Sequence, residues 1–289
     1  RTARQVVGGQ EGSNMARQTL KPPFAYYGGK ITLAPKIAEL LPPHEHYVEP
    51  FAGSLAVLLA KEPSPLETVN DLDEHLMTFW KVLRERPDEL AEACYLTPHS
   101  RQEPRQGFPA EASELEIARR VWLTIKQSRA NSLGSGGWRF GVHAGSGKMI
   151  IASMRNSLSR LFDVAERIHN VSLEHGDALD VIRRYGADPR VCMYVDPPYL
   201  GRTRAIGYRV EMGDDAAHVA LADALNECSA SILLSGFADP LYEKMFPGWH
   251  QVEMKAPRNL AHKSGPSEVL WMNFQPHTTP GTLGPGGDV

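Results

Sequence analysis

Only three cysteines, Cys94, Cys192 and Cys228, occur in 289 residues. An odd number at wide spacing excludes a disulfide framework and a cysteine zinc site, and suits a reducing cytosol. No apolar run approaches the ~18 residues of a membrane span and no signal peptide is evident, so a membrane partner is not expected. GxGxxG is missing, which disfavours a dinucleotide, and so is GxxxxGK[ST], which excludes a P-loop. No Cys–His or Ser–His pair stands out as an activated nucleophile.

The most informative absence is local. Net charge is -3, which globally argues against a polyanionic partner. Yet between Arg119 and Arg160 there is no Asp or Glu, while Arg119, Arg120, Lys126, Arg129, Arg139, Lys148, Arg155 and Arg160 all fall there. Such asymmetry marks one face for nucleic acid. Taken singly, each arginine is more simply a surface ion pair; only the clustering points to DNA. Trp138 adds a group able to wedge or stack.

What is present suits one large domain with an insert: 42% of residues are apolar, enough for a sizeable core. Short apolar runs near 46–48, 66–70, 171–174, 191–195 and 231–235 read as strands, separated by helical patterns at 55–61, 74–84, 87–96 and 215–228. Strand–helix alternation predicts βαβ units and a mostly parallel α/β sheet with helices on both faces. The expected division is a flexible leader over 1–20, a first part of the domain over 21–95, an inserted helical and loop-rich lobe over 96–168, the rest of the domain over 169–275 and a disordered tail over 276–289. Met15 is a candidate native start within the leader.

Three clusters follow predicted strands, where such sheets bind ligands. Glu49-Pro50-Phe51-Ala52-Gly53-Ser54 is a strand, a glycine turn and a helix start. Asp71 ends the next strand; an acid there either accepts from ribose hydroxyls or, like Asp73, caps the following helix. Asp196-Pro197-Pro198-Tyr199 ends a strand that proline cannot continue. A carboxylate and a rigidly held carbonyl side by side suit the two N–H donors of an exocyclic amine, and the tyrosine suits stacking on a flat base. Near the start, Tyr26-Tyr27-Gly28-Gly29-Lys30 is a turn before a helix, a weak signal alone.

Together, and in this order, these motifs resemble the Dam-like DNA adenine-N6 methyltransferases over roughly 22–274. The resemblance implies a Rossmann-like fold that uses S-adenosylmethionine and no metal, a monomer or weak dimer acting on an adenine-containing site in double-stranded DNA within a bacterial or phage-infected cytoplasm, near the nucleoid. It implies that Tyr26, Lys30, Glu49, Phe51, Gly53, Asp71, Asp177 and Asp196 bind the cofactor, with Asp71 at the ribose and Asp177 at the adenine. Asp196, Pro197, Pro198 and Tyr199 would act on a flipped-out adenine. The insert would carry the DNA contacts: Arg129, Trp138, Arg139 and Lys148, joined by Arg202, Arg204 and Arg209 after the tetrapeptide. Two features depart from the family: Ser54-Leu55-Ala56 stands where many members have a second glycine, and the insert differs from the enteric GATC-specific enzymes. Cytosine N4 is also an exocyclic amine, and a DNA-binding relative without catalysis is a further alternative; Asp at the head of the tetrapeptide leans to adenine by resemblance.

Overall fold

The computed structural model describes residues 19–134, 137–200, 212, 214–254 and 268–276. Among the described residues, seven strands form one sheet: β1 (His46–Glu49), β2 (Leu66–Asp71), β3 (Ser172–His175), β4 (Val191–Val195), β5 (Ser231–Phe237), β6 (His250–Met254) and β7 (Glu268–Met272). Their order is β3-β2-β1-β4-β5-β7-β6. The first five are parallel. β7 then runs antiparallel to β5 and to β6. The sheet is therefore mostly parallel, as the alternation predicts. The antiparallel β6–β7 pair is an addition to the expected strands.

The strand order reverses between β1 and β4, which lie side by side with His46 opposite Val191. At that point the connections leave in opposite directions and open a crevice at the carboxyl ends. The helices of the first half are α1 (Ala34–Glu39), α2 (Ala56–Ala60), α3 (Glu74–Glu85) and α4 (Pro87–Leu96). The insert contributes α5 (Glu114–Gln127) and the 24-residue α6 (Ala144–Arg167). The second half has α7 (Ala178–Gly186), α8 (Asp215–Asn226) and α9 (Pro240–Met245).

Side-chain alternation along the strands sorts these helices into two layers. Tyr47, Val69, Tyr194, Leu233, Leu270 and Met272 join one core with α1 to α6. Val48, Met193, Val195, Ile232, Leu234 and Trp271 join the other with α7 to α9. Glu49 and Asp196 share the parity of Tyr47 and Tyr194, so they emerge on the face that carries the insert.

One buried ionic cluster roots the insert in the sheet. Glu67 of β2 accepts from Arg167 at the end of α6, through Nη1 at 2.5 Å and Nη2 at 2.8 Å, and from Lys61 Nζ at 2.5 Å. Arg167 also donates to the Leu58 carbonyl at the end of α2, at 3.0 Å. Removing one member of such a cluster strands a buried charge, which costs about 3–5 kcal/mol. Glu67→Ala is therefore expected to lower the stability to urea by about that amount, while Arg167→Ala together with Glu67→Ala recovers part of the loss; strictly additive losses in that double-mutant cycle would show no coupling.

Candidate functional site

The turn after β1 builds the floor of the crevice. Gly53 sits at φ 48°, in the left-handed region open to glycine. Its N–H donates to Asp71 Oδ2 at 3.0 Å, while Asp71 Oδ1 accepts from Asp73 N–H at 2.9 Å. The two acids thus divide the alternatives: Asp73 caps α3, accepting from Leu76 N–H at 3.1 Å, and Asp71 shapes the glycine turn. Leu55 also has a positive φ of 57° and is fully buried, so packing of its side chain offsets the backbone strain.

The Tyr26–Lys30 turn packs onto this floor. Gly29 N–H donates to the Tyr26 carbonyl at 2.8 Å. A Cβ at Gly29 would lie 2.8 Å from that carbonyl oxygen and 3.1 Å from Ser54 Oγ, so only glycine fits between the turns. The same turn touches the insert, because Tyr27 N–H donates to the Asn131 carbonyl at 2.9 Å.

One cavity collects most of the expected residues: Tyr26, Lys30, Glu49, Phe51, Gly53, Asp71, Asp177, Asp196 and Pro198 all line it. Tyr199 does not line it. The acids come from the ends of four different strands, and burial alters three of them, Glu49, Asp71 and Asp196. Glu49 Oε1 accepts from Tyr47 Oη at 2.7 Å and Leu58 N–H at 2.8 Å, yet burial outweighs these bonds and pushes its pKa up to about 8. Burial likewise lifts Asp71 to about 6, against the opposing pull of the Asp73 and Gly53 amides. Asp177 caps α7, accepting from Leu179 N–H at 2.8 Å.

At the cavity's edge lies a buried cation with three acceptors. Lys30 Nζ donates to the Gly28 carbonyl at 2.7 Å and meets Asp196 Oδ1 and Oδ2 at 2.9 and 3.0 Å. Its third neighbour is Glu268 Oε1 at 3.3 Å. Glu268, which sequence reasoning missed, also accepts from the Tyr199 hydroxyl and from Ser235 Oγ at 2.6 Å. Burial pulls the Lys30 pKa down, but Asp196 and Glu268 more than offset it, so the ammonium stays charged. The cost falls on Asp196: burial raises it, Lys30 lowers it, Glu268 raises it, and the net direction is up. Tyr199 is buried, its ring edge-on to Phe237 at 4.5 Å and 4.8 Å from Lys30 Nζ. The sequence signal for Glu268 is an acid heading an apolar strand in the parity of the insert-facing core.

In the insert, the basic stretch divides. Arg119 and Arg120 are paired with Glu116, and Arg119 also with Glu103, acids that lie just outside the acid-free window. Arg160 donates to the Pro22 carbonyl. Arg139 donates to Asn131 Oδ1 at 2.6 Å and Arg129 to the Trp138 carbonyl at 3.1 Å, across a short antiparallel turn closed by a Ser128–Trp138 bridge. Trp138 is stacked between His99, at 4.7 Å, and the half-exposed Phe140, at 5.6 Å. Arg101, not anticipated, lies 4.7 Å over Trp138, and Arg129 lies 5.1 Å over Phe140. Lys148 is exposed in the first turns of α6, near the exposed Met149 and Ile151. Arg202, Arg204 and Arg209 lie outside the described residues. No helix among the described residues is long and apolar enough to cross a membrane.

A family model described as D12 class N6 adenine-specific DNA methyltransferase matches residues 26–252. Among solved structures, the chain is similar to a putative methyltransferase from Escherichia coli, at 12% identity over 90% of this chain and 94% of that one, with a TM-score of 0.34. It is similar also to an rRNA methylase from Streptococcus thermophilus, at 10% identity over 90% and 99%, with a TM-score of 0.36.

The raised Glu49 pKa has a measurable consequence. Folded, Glu49 keeps its proton up to about pH 8; unfolded, it loses it near the ordinary 4.5. The folded state therefore holds the extra proton between those values, and stability falls as pH rises through that window. Asp71 adds to the fall between 3.8 and about 6. In Glu49→Gln the urea midpoint is expected to decline less over the Glu49 window than in the parent chain; parallel declines would mean that Glu49 ionises normally.

Proposed function

Because the chain belongs to the D12 class of N6 adenine-specific DNA methyltransferases, we propose that the crevice beside β1 and β4 takes S-adenosylmethionine and that Asp196-Pro197-Pro198-Tyr199 acts on a flipped-out adenine next to it. The observation that carries this reading is the Lys30–Asp196 pair, which joins the Tyr26–Lys30 turn to the tetrapeptide across 166 positions of sequence. The residues present suit the cofactor's chemistry. A crevice lined by Glu49, Asp71, Asp177 and Asp196 suits a molecule with a cationic amino-acid end, a ribose diol and an adenine amine, and Tyr26 and Phe51 offer apolar ring surface. Both Asp71 oxygens already accept one backbone N–H, and each retains a lone pair for a hydroxyl. When bound, S-adenosylmethionine supplies a methyl carbon already activated on its sulfonium, so the protein needs no covalent nucleophile.

The target nitrogen is buried in a duplex, so the base must leave the stack. The Asp196 carboxylate and the Pro197 carbonyl then accept the two N6 hydrogens. This draws the nitrogen lone pair out of conjugation with the ring and aims it into the crevice. Pro197 and Pro198 hold the two acceptors rigid. Tyr199, pinned at its hydroxyl, would serve as the stacking plate. Catalysis of this kind rests on orientation and fixed dipoles.

The lobe over 96–168 is the target-recognition part in this reading. Arg101 and Arg129 on the Trp138–Phe140 stack, with Lys148 on α6, are the phosphate contacts and Trp138 the wedge; Arg139, held by Asn131, braces the turn that presents them. Arg119 and Arg120 are assigned to the fold.

Asp196→Ala is expected to abolish transfer of radiolabelled methyl to DNA while leaving cofactor binding by calorimetry largely intact; N6-methyladenine formed at the parent rate would defeat the assignment. Arg101→Ala and Lys148→Ala should each flatten the slope of log K against log salt by about 1 without changing the methylated sequence. An unaltered slope would remove that residue from the DNA interface.

A further inference from the structure

Methyl transfer to an amine leaves a proton to be placed. As N6 gains the methyl carbon, the electron pair of the broken C–S bond stays on sulfur, and N6 must surrender one proton to return to neutrality. The charge inside the site changes in step: a sulfonium becomes a neutral thioether. The cluster beside the cavity matches that change. Lys30 contributes one positive charge, and Asp196 and Glu268 one negative charge each, so the ionised cluster carries one excess negative charge that a single proton would cancel.

We propose that Glu268 is a positioning residue for the transfer that becomes the final holder of the N6 proton, acting through Lys30. The proposal rests on the assignment of Asp196 as the acceptor of N6. The N6–H bond breaks with its electron pair left on nitrogen, and the proton goes to an Asp196 carboxylate oxygen. Lys30 Nζ gives one of its protons to Glu268 and takes the one on Asp196. Asp196 and Lys30 are thereby restored, and Glu268 is left neutral. The geometry fits each hand-over. The three N–H donors of Lys30 face three acceptors, Gly28 O, Asp196 and Glu268, at 2.7, 2.9 and 3.3 Å. The contacts of Glu268 with Lys30, Tyr199 and Ser235 converge on Oε1. The proton from Lys30 therefore arrives on Oε1, where it can be donated to the Ser235 hydroxyl oxygen at 2.6 Å, since a hydroxyl both accepts and donates. The Glu268 side chain is 12% exposed, enough to return the proton to water when product leaves.

Among the described residues, the groups facing Glu268 besides Lys30 and Asp196 are Tyr199 and Tyr194, both kept as neutral hydroxyls chiefly by burial, and Ser235. Glu49 acts on Asp196 from the β1 side. Among these, Glu268 is the second carboxylate in contact with the ammonium, and its like charge raises Asp196.

The test compares the parent chain, Glu268→Gln, Glu268→Asp and Asp196→Asn. Glutamine keeps the acceptor for Tyr199 and Ser235 but cannot take the proton. In single-turnover methylation, E268Q is expected to be slower by about 100-fold with cofactor and DNA affinities unchanged, while E268D recovers most of the rate and keeps the acid limb of the pH profile. In the cofactor-free protein, the 13C resonance of the Asp196 carboxyl should titrate at lower pH in E268Q than in the parent. A parent-like rate and acid limb in E268Q would overturn the proposal, as would an unmoved Asp196 titration or a loss of both affinities along with the rate. A fully active D196N would instead defeat the underlying assignment of Asp196, whatever the Asp196 titration in E268Q shows.

Discussion

An ammonium taken out of water must find acceptors for its protons, and Lys30 finds them in three parts of the chain that are far apart in sequence. Its Nζ is enclosed by the Gly28 carbonyl, the Asp196 carboxylate and Glu268. Gly28 belongs to the turn before α1, Asp196 to the end of β4 and Glu268 to the start of β7. A buried charge with excellent geometry adds less to stability than it does to uniqueness, because any other arrangement leaves it unpaired. The ion cluster therefore sets the relative position of the Tyr26–Lys30 turn and the tetrapeptide. Substituting the lysine would leave two carboxylates facing each other in a dry place.

Strand parity explains why the chemistry appears where it does. Residues at even spacing share a face, so Tyr47 and Glu49, Tyr194 and Asp196, and Ser235 with Leu233 all project toward the insert-bearing layer. The reversal of strand order between β1 and β4 then places Glu49 and Asp196 across one crevice. Neither effect requires an unusual backbone. Among the described residues, the non-glycine positions with positive φ are Leu55, in the glycine turn, and Asn131, in the insert.

Much of this architecture was legible beforehand. The five parallel strands follow from short apolar runs bounded by turn residues, and α3, α4 and α8 from the helical patterns between them. The motif order carried the placement of the clusters at strand ends. What stayed hidden depended on contacts distant in sequence. Glu268 is one acid at the head of a five-residue apolar strand, and nothing local distinguishes it from a surface charge. The window that holds Arg119 and Arg120 contains no acid, so their partners come from outside it: Glu116 lies one helical turn before them on α5 and Glu103 arrives from a separate turn. Arg101 sits outside the window altogether, and only folding lays it on Trp138.

The Arg167–Glu67 anchor matters through leverage. From Arg167 back to Lys148 the single helix α6 runs 19 residues, so about 28 Å separate its root from its tip. Over that arm a tilt of about 2° moves the tip by about 1 Å, and a misplacement of that size can cost two orders of magnitude in rate. The angular tolerance of that arm is thus set at its root, by the Arg167–Glu67 pair. Two charges at the base of a helix act as the bearing of a long arm, and the tightness of that bearing limits how precisely its far end is held.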